Sequence, residues 1–208
     1  MNLAVPLTAP ATAITKVDDI KGLAAIRDPG CAAVLWQRRP PAGFQAWIDA
    51  LDPGLLPGAR VILSPEAVPA ALAQLCAGMP DCPERAWLIA DGAALAAHFA
   101  GLMRAPWLRL RLDVVTGNAC RRFHIDAVTA RLICTYRGTG TQFGVSAAGA
   151  EPAQIDTAPT GAPLILRGTL WRERPRAGLL HRSPPIAGTG ESRLVLVLDP
   201  LDDPDDDT

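Results

Sequence analysis

His124 and Asp126 flank a single isoleucine, His181 follows His124 by 57 positions, and Arg193 follows His181 by 12. Of all the residues in the chain, these are the best suited to chemistry. Two imidazoles and a carboxylate can fill three positions around a divalent metal and leave the others open to substrate or oxygen, as at non-haem iron(II) centres. Histidine is scarce here: the chain has three, and two fall in this pattern. A plainer reading stands beside it, in which His124 and Asp126 bond each other at a strand end and His181 caps a turn. The third histidine, His98, lies in an alanine-rich helical run and reads as structural.

Such a triad needs elements that bring distant residues together. At a strand end the period of two sends His124 and Asp126 to the same face, and His181 must arrive from another strand. The sequence beyond Pro106 supplies short β-like runs separated by Gly and Pro: Trp107–Val115, Ala130–Tyr136, Pro163–Arg167 and Leu194–Leu198. In the first of these, Leu108, Leu110, Leu112 and Val114 alternate onto one face. Residues 105–200 are therefore expected to form a β barrel or sandwich.

Residues 1–104 read as mixed and mainly helical. The first 30 or so are expected to be a loosely packed lead-in. Cys31–Trp36 and Arg60–Leu63 are strand candidates, and Phe44, Trp47, Ile48 and Leu51 mark one face of a short helix. Ser64 and Pro65 should open a helix reaching Cys76, and Asp91 should cap another reaching Met103. Residues 201–208 read as an acidic disordered tail.

The stretch Gly178–Leu198 resembles the distal half of the iron(II)/2-oxoglutarate dioxygenase signature. There a His closes the triad, a Pro/Gly turn follows, and an Arg or Lys some ten to twelve residues on pairs with the 2-oxoglutarate carboxylate. The chain also resembles the DUF1826 family of bacterial proteins, through Cys120–Asp126 (CRRFHID), Arg131–Gln142 (RLICTYRGTGTQ), Leu166–Trp171 (LRGTLW) and Leu180–Pro185 (LHRSPP).

Together the resemblances imply an α+β protein with a C-terminal double-stranded β-helix, a jelly roll of the cupin or dioxygenase kind, on which the helical half packs. They imply Fe(II) on His124, Asp126 and His181, with 2-oxoglutarate as co-substrate and Arg193 holding its far carboxylate. A guanidinium fork suits that task. Arg131, Tyr136 and Thr141, on the stretch expected to line the same mouth, are candidate co-substrate contacts. The activity implied is that of an oxygenase with an unidentified small-molecule or protein substrate. The segment Tyr136–Thr141 departs from the Trp/Gly-Gly sequence common in prolyl-hydroxylase-like enzymes.

The alternative is a non-catalytic zinc-binding or metal-homeostasis protein of the same fold. The DUF1826 association with zinc shortage points that way, and Cys120, four residues before His124, could supply a soft extra ligand. Cys120 and Cys134 are otherwise ordinary structural thiols. The basic loop 171–178 could gather an anionic substrate or simply be solvated.

Composition excludes more than it assigns. A net charge of -1 offers no case for nucleic acid or an anionic membrane. No N-terminal signal is apparent, and no uninterrupted apolar run has the length of a membrane span. Five cysteines without C-x-x-C spacing fit reduced thiols in a cytoplasmic protein. Phosphate-binding, nucleophile-elbow and H-E-x-x-H motifs are absent. Ser183, beside Pro184 and Pro185, sits in a poor context for an activated hydroxyl.

Overall fold

The computed structural model describes residues 9–146 and 150–205. In chain order the elements are β1 (Ala13–Val17), β2 (Cys31–Trp36), α1 (Phe44–Ala50), β3 (Ala59–Leu63), α2 (Val68–Leu75), α3 (Pro83–Met103), β4 (Trp107–Val115), β5 (Ala130–Arg137), β6 (Gln142–Val145), β7 (Asp156–Thr157), β8 (Leu164–Arg167), β9 (Leu179–Arg182) and β10 (Arg193–Leu201). They build a seven-stranded sheet in the order β1-β2-β8-β5-β10-β4-β3 and a three-stranded sheet in the order β7-β6-β9.

Alternation explains the layering. Leu108, Leu110 and Leu112 of β4 join Leu132, Cys134 and Tyr136 of β5 and Leu194, Leu196 and Leu198 of β10 in one core. Phe44 and Ile48 of α1, Leu72 of α2 and Leu95 and Phe99 of α3 cover that face. The residues between them turn to the other face. There Ile133, Val195 and Val197 pack with Leu164, Leu166, Phe143 and Leu179 in a second core shared with the three-stranded sheet. β10 ties the large sheet together, pairing antiparallel with β4 from Arg193 opposite Val115 to Leu201 opposite Trp107, and with β5 on its other edge.

Several expectations change. The large sheet does not stop at residue 105, because β1, β2 and β3 supply three of its seven strands. The lead-in is packed where it is described: β1 pairs in parallel with β2, and Leu23 and Ile26 are fully buried. Residues 1–8 of that expectation, and 206–208 of the expected tail, lie outside the described residues. Leu201 belongs to β10, and 202–205 are exposed.

Asp91 caps nothing. α3 starts eight residues earlier, with Pro83 at its first position, and Asp91 lies mid-helix and buried. Arg38 binds it through both oxygens at 2.5 and 2.6 Å, which offsets the cost of burying the charge. The Ser64 helix also starts late: Pro65–Ala67 is a 3-10 turn, Ser64 makes no side-chain cap bond, and α2 begins at Val68. α3 is long and apolar enough to cross a membrane; here Leu88, Leu95 and Phe99 are buried in the core.

Candidate metal centre

β9 brings His181 into the space between the two sheets, opposite Phe143 of β6. On the other edge of β9, His124 forms an isolated antiparallel bridge with His181. Each histidine's N–H donates to the other's carbonyl at 3.0 Å. Residues opposed in this way send their side chains to one face, and the two imidazole centroids are 4.6 Å apart. The period of two then carries the Asp126 carboxylate to the same face, as the sequence predicts.

The three side chains converge. His124 Nε2 lies 3.3 Å from Asp126 Oδ1, and His181 Nε2 lies 2.9 Å from Asp126 Oδ2. One donor atom from each residue falls within 4.8 Å of the other two. Donors bound side by side at about 2.1 Å from one ion sit about 3.0 Å apart, so these spacings fit a single divalent metal.

The donor chemistry fits as well. His124 Nδ1 is 2.8 Å from the Arg122 carbonyl oxygen. That contact puts a ring proton on Nδ1, and hydrogen bonding of Nε2 to Asp126 raises the His124 pKa, so a metal would take the place of the Nε2 proton. Burial lowers the His181 pKa against the opposing pull of Asp126, which favours the neutral ring a metal needs. For Asp126 burial alone would raise the pKa; hydrogen bonding to His124 and attraction to the close His181 imidazole and the Arg131 charge overcome it, holding the carboxyl well below the usual range. Asp126 Oδ2 is buried and has no partner in hydrogen-bond geometry.

The loop carrying Asp126 is pinned from outside the site. Its carbonyl accepts from Thr169 N at 2.9 Å, while Gly168 N and Leu170 N donate to the Thr129 and Val128 carbonyls. Gly168 makes this approach possible, since a Cβ there would fall 1.8 Å from the Val128 oxygen.

Arg193 is 2 % exposed at the start of β10. Its Nε donates to the Thr139 carbonyl at 2.6 Å, one terminal nitrogen to Ser183 Oγ at 2.6 Å and the other to Thr135 Oγ1 at 3.4 Å. Every acceptor is uncharged. Burial pushes its pKa down to about 10, with Glu191 and Asp113 only partly compensating.

Arg131 also faces this side of β5, but its nitrogens are committed. It pairs with Asp126 Oδ1 at 2.5 Å and with both Asp199 oxygens at 2.6 and 2.8 Å. Thr141 is buried just before β6, and its carbonyl accepts from Ala158 N. Tyr136 does not line the site. It is buried in the helix-side core, where its hydroxyl donates to Asp91 Oδ2 at 2.6 Å. Cys134 lies in that same core.

Cys120 is exposed, its Sγ 3.7 Å from His124 Nδ1, the nitrogen turned away from Asp126. His98 is on α3 and outside the cluster. Asp199, fully buried, and Ser183, as a partner of Arg193, were not anticipated. A signal for Asp199 was present, since the period of two from Arg193 through Val195 and Val197 reaches it.

Comparison with known proteins extends the picture. The family model described as "Protein of unknown function (DUF1826)" matches residues 17–199. No curated protein sequence matches the chain. The rice dioxygenase for auxin oxidation superposes with a TM-score of 0.53 at 15% identity, over 91% of this chain and 83% of that one. Its Arabidopsis thaliana counterpart, solved with 2-oxoglutarate, gives 0.48 at 10% identity over 93% and 92%. A 2OG-Fe(II) oxygenase family oxidoreductase from Burkholderia pseudomallei gives 0.44 at 15% identity over 90% and 95%. The rice likeness carries the fold, and the two lower scores add nothing to it.

Proposed function

We propose that this chain, which belongs to the DUF1826 family, is a non-haem iron(II)/2-oxoglutarate-type oxygenase acting on a small-molecule or protein substrate. The observation that carries the reading is the convergence of one ring nitrogen each from His124 and His181 and one Asp126 carboxylate oxygen within 4.8 Å of one another. Two imidazoles and one carboxylate suit Fe(II) and leave positions for other ligands.

The strand order supports a double-stranded β-helix. β4, β10, β5 and β8 make one wall; β7, β6, β9 and the His124 bridge make the other. The rice dioxygenase likeness agrees with that assignment.

In this reading His124, Asp126 and His181 hold the metal, and Arg193 binds the far carboxylate of 2-oxoglutarate. Arg131 and Thr135 lie on the same face of β5, four residues and about 13 Å apart along the strand. The first touches Asp126 and the second touches Arg193. The metal ligands and the guanidinium therefore sit toward opposite ends of that stretch of β5. Arg193 suits an anion because a buried guanidinium bonded only to neutral acceptors gains strongly from a bidentate carboxylate. Bound iron(II) with 2-oxoglutarate supplies oxygen activation. The chain supplies a dry wall around it, with Ile133, Val195 and Val197 in the adjoining core.

A structural zinc site takes four protein ligands. Cys120 is the nearest thiol to the triad, and it sits against the His124 nitrogen that faces away from Asp126. The iron reading is therefore favoured over zinc storage or sensing.

The test is succinate formation by the purified protein. Loaded anaerobically with Fe(II) and 2-oxoglutarate and then exposed to oxygen, the wild type should produce succinate slowly even without its substrate. His181→Ala should produce none. Equal succinate from both proteins would contradict the proposal.

A further inference from the structure

We infer that Arg131 and Asp199 form a positioning pair for the metal centre. Together they hold Asp126 so that it offers the ion a single oxygen, Oδ2. The inference rests on the metal-centre reading given above. Arg131 is saturated in a particular way: one terminal nitrogen lies 2.5 Å from Asp126 Oδ1, while Nε and the other terminal nitrogen grip both oxygens of Asp199. The Arg131 charge therefore sits on Oδ1, which also lies 3.3 Å from His124 Nε2, while Oδ2 is buried 2.9 Å from His181 Nε2 with no partner in hydrogen-bond geometry.

Asp199 is what makes this arrangement rigid. It is fully buried on β10, the strand paired with β5, and Arg111 approaches its second oxygen at 3.9 Å. The planar fork of an arginine can bind one carboxylate through two parallel bonds and still present a third nitrogen to another, which lysine cannot do. Oxygens bound in this way are poor donors to a second cation. Asp126 would consequently bind through Oδ2 alone, and an octahedral ion held by the triad would keep three positions for other ligands. A chelating Asp126 would leave only two.

The experiment uses chelator-stripped full-length protein, with Co(II) and Mn(II) alone as probes, so that no turnover is involved. Asp199→Asn should fold with the helix-side core intact, as reported by Trp fluorescence and a cooperative melt. It should bind Co(II) some 10- to 100-fold more weakly than wild type, with a shifted Co(II) absorption spectrum. Arg131→Lys should not rescue affinity. Should either variant fail to fold, the wild type decides by itself: water-proton relaxation on the Mn(II) protein should count three exchangeable waters.

A folded Asp199→Asn variant with wild-type Co(II) affinity and spectrum would overturn the inference, as would a count of two waters. Failure of the wild type to bind either metal would instead overturn the metal centre itself, so the two failures are distinguishable.

Discussion

Arg193 donates to Ser183 Oγ at 2.6 Å, and Ser183 stands two residues beyond His181 on the same run of chain. This one bond couples the two halves of the proposed site, the metal ligands and the carboxylate-binding guanidinium. It also explains why a cation is tolerated there without an acidic partner. Its fork is held in place by a hydroxyl, a carbonyl and a threonine.

Arg193→Met should separate function from stability. Burial already disfavours the charged guanidinium, and replacing buried charges by apolar side chains of similar size is often neutral or stabilising. The melting temperature should change little, because relief of the buried charge offsets the bonds lost at Thr139, Ser183 and Thr135, while 2-oxoglutarate affinity falls at least about tenfold, in line with roughly 1.5–3 kcal/mol for hydrogen bonds to charged groups. Isothermal titration and a thermal melt check both. Unchanged 2-oxoglutarate affinity would remove Arg193 from the site.

Gly168→Ala should damage the metal centre from outside it. The added methyl would fall 1.8 Å from the Val128 oxygen and 2.9 Å from that of Asp126, so the loop carrying Asp126 must move. A cost of about 3 kcal/mol is expected for such overpacking, together with weaker metal binding. A variant with wild-type stability in urea and wild-type Co(II) affinity would refute the account of this loop.

Cys120→Ser discriminates between the metals. The thiol lies on the Nδ1 side of His124, so iron content should be unchanged by the substitution. If Cys120 were a zinc ligand, tightly held zinc would be lost in the variant, as measured by elemental mass spectrometry.

Tyr136 is the chain's single tyrosine, which makes its titration easy to read. Burial raises its pKa well above the ordinary value, and neighbouring Cys134 and Asp91 raise it further. The folded state therefore keeps a proton that the unfolded chain releases near pH 10. The associated stability is fully present below pH 10 and is lost as pH rises above it. Tyrosinate absorbance at 295 nm should stay absent at pH 11 and appear only with cooperative unfolding followed by Trp fluorescence. A smooth titration near pH 10 in folded protein would show that the phenol is accessible.

Much of the site was legible because strand alternation is local. His124 and Asp126 are two apart, so one strand end sends them to the same face. The same rule could have excluded Tyr136, since five positions from Arg131 puts it on the opposite face of β5, under the helices. It could also have reached Asp199, six residues beyond Arg193.

What could not be read was pairing. The short run Leu179–Arg182 carries no sign that it joins His124 on one edge and β6 on the other. Cys31–Trp36 reads as a strand, but nothing in it names β8 as its neighbour. Asp91 looked like a helix cap because the arginine that neutralises it lies 53 residues away.

The most direct test of the central claim is metal content. Wild type and His124→Ala, both purified anaerobically without chelator and reloaded with Fe(II), would be compared by elemental mass spectrometry. The account predicts about one equivalent of iron in the wild type and almost none in the variant, with both proteins folded. A full equivalent of iron in the variant, or none in the wild type under any loading, would contradict it.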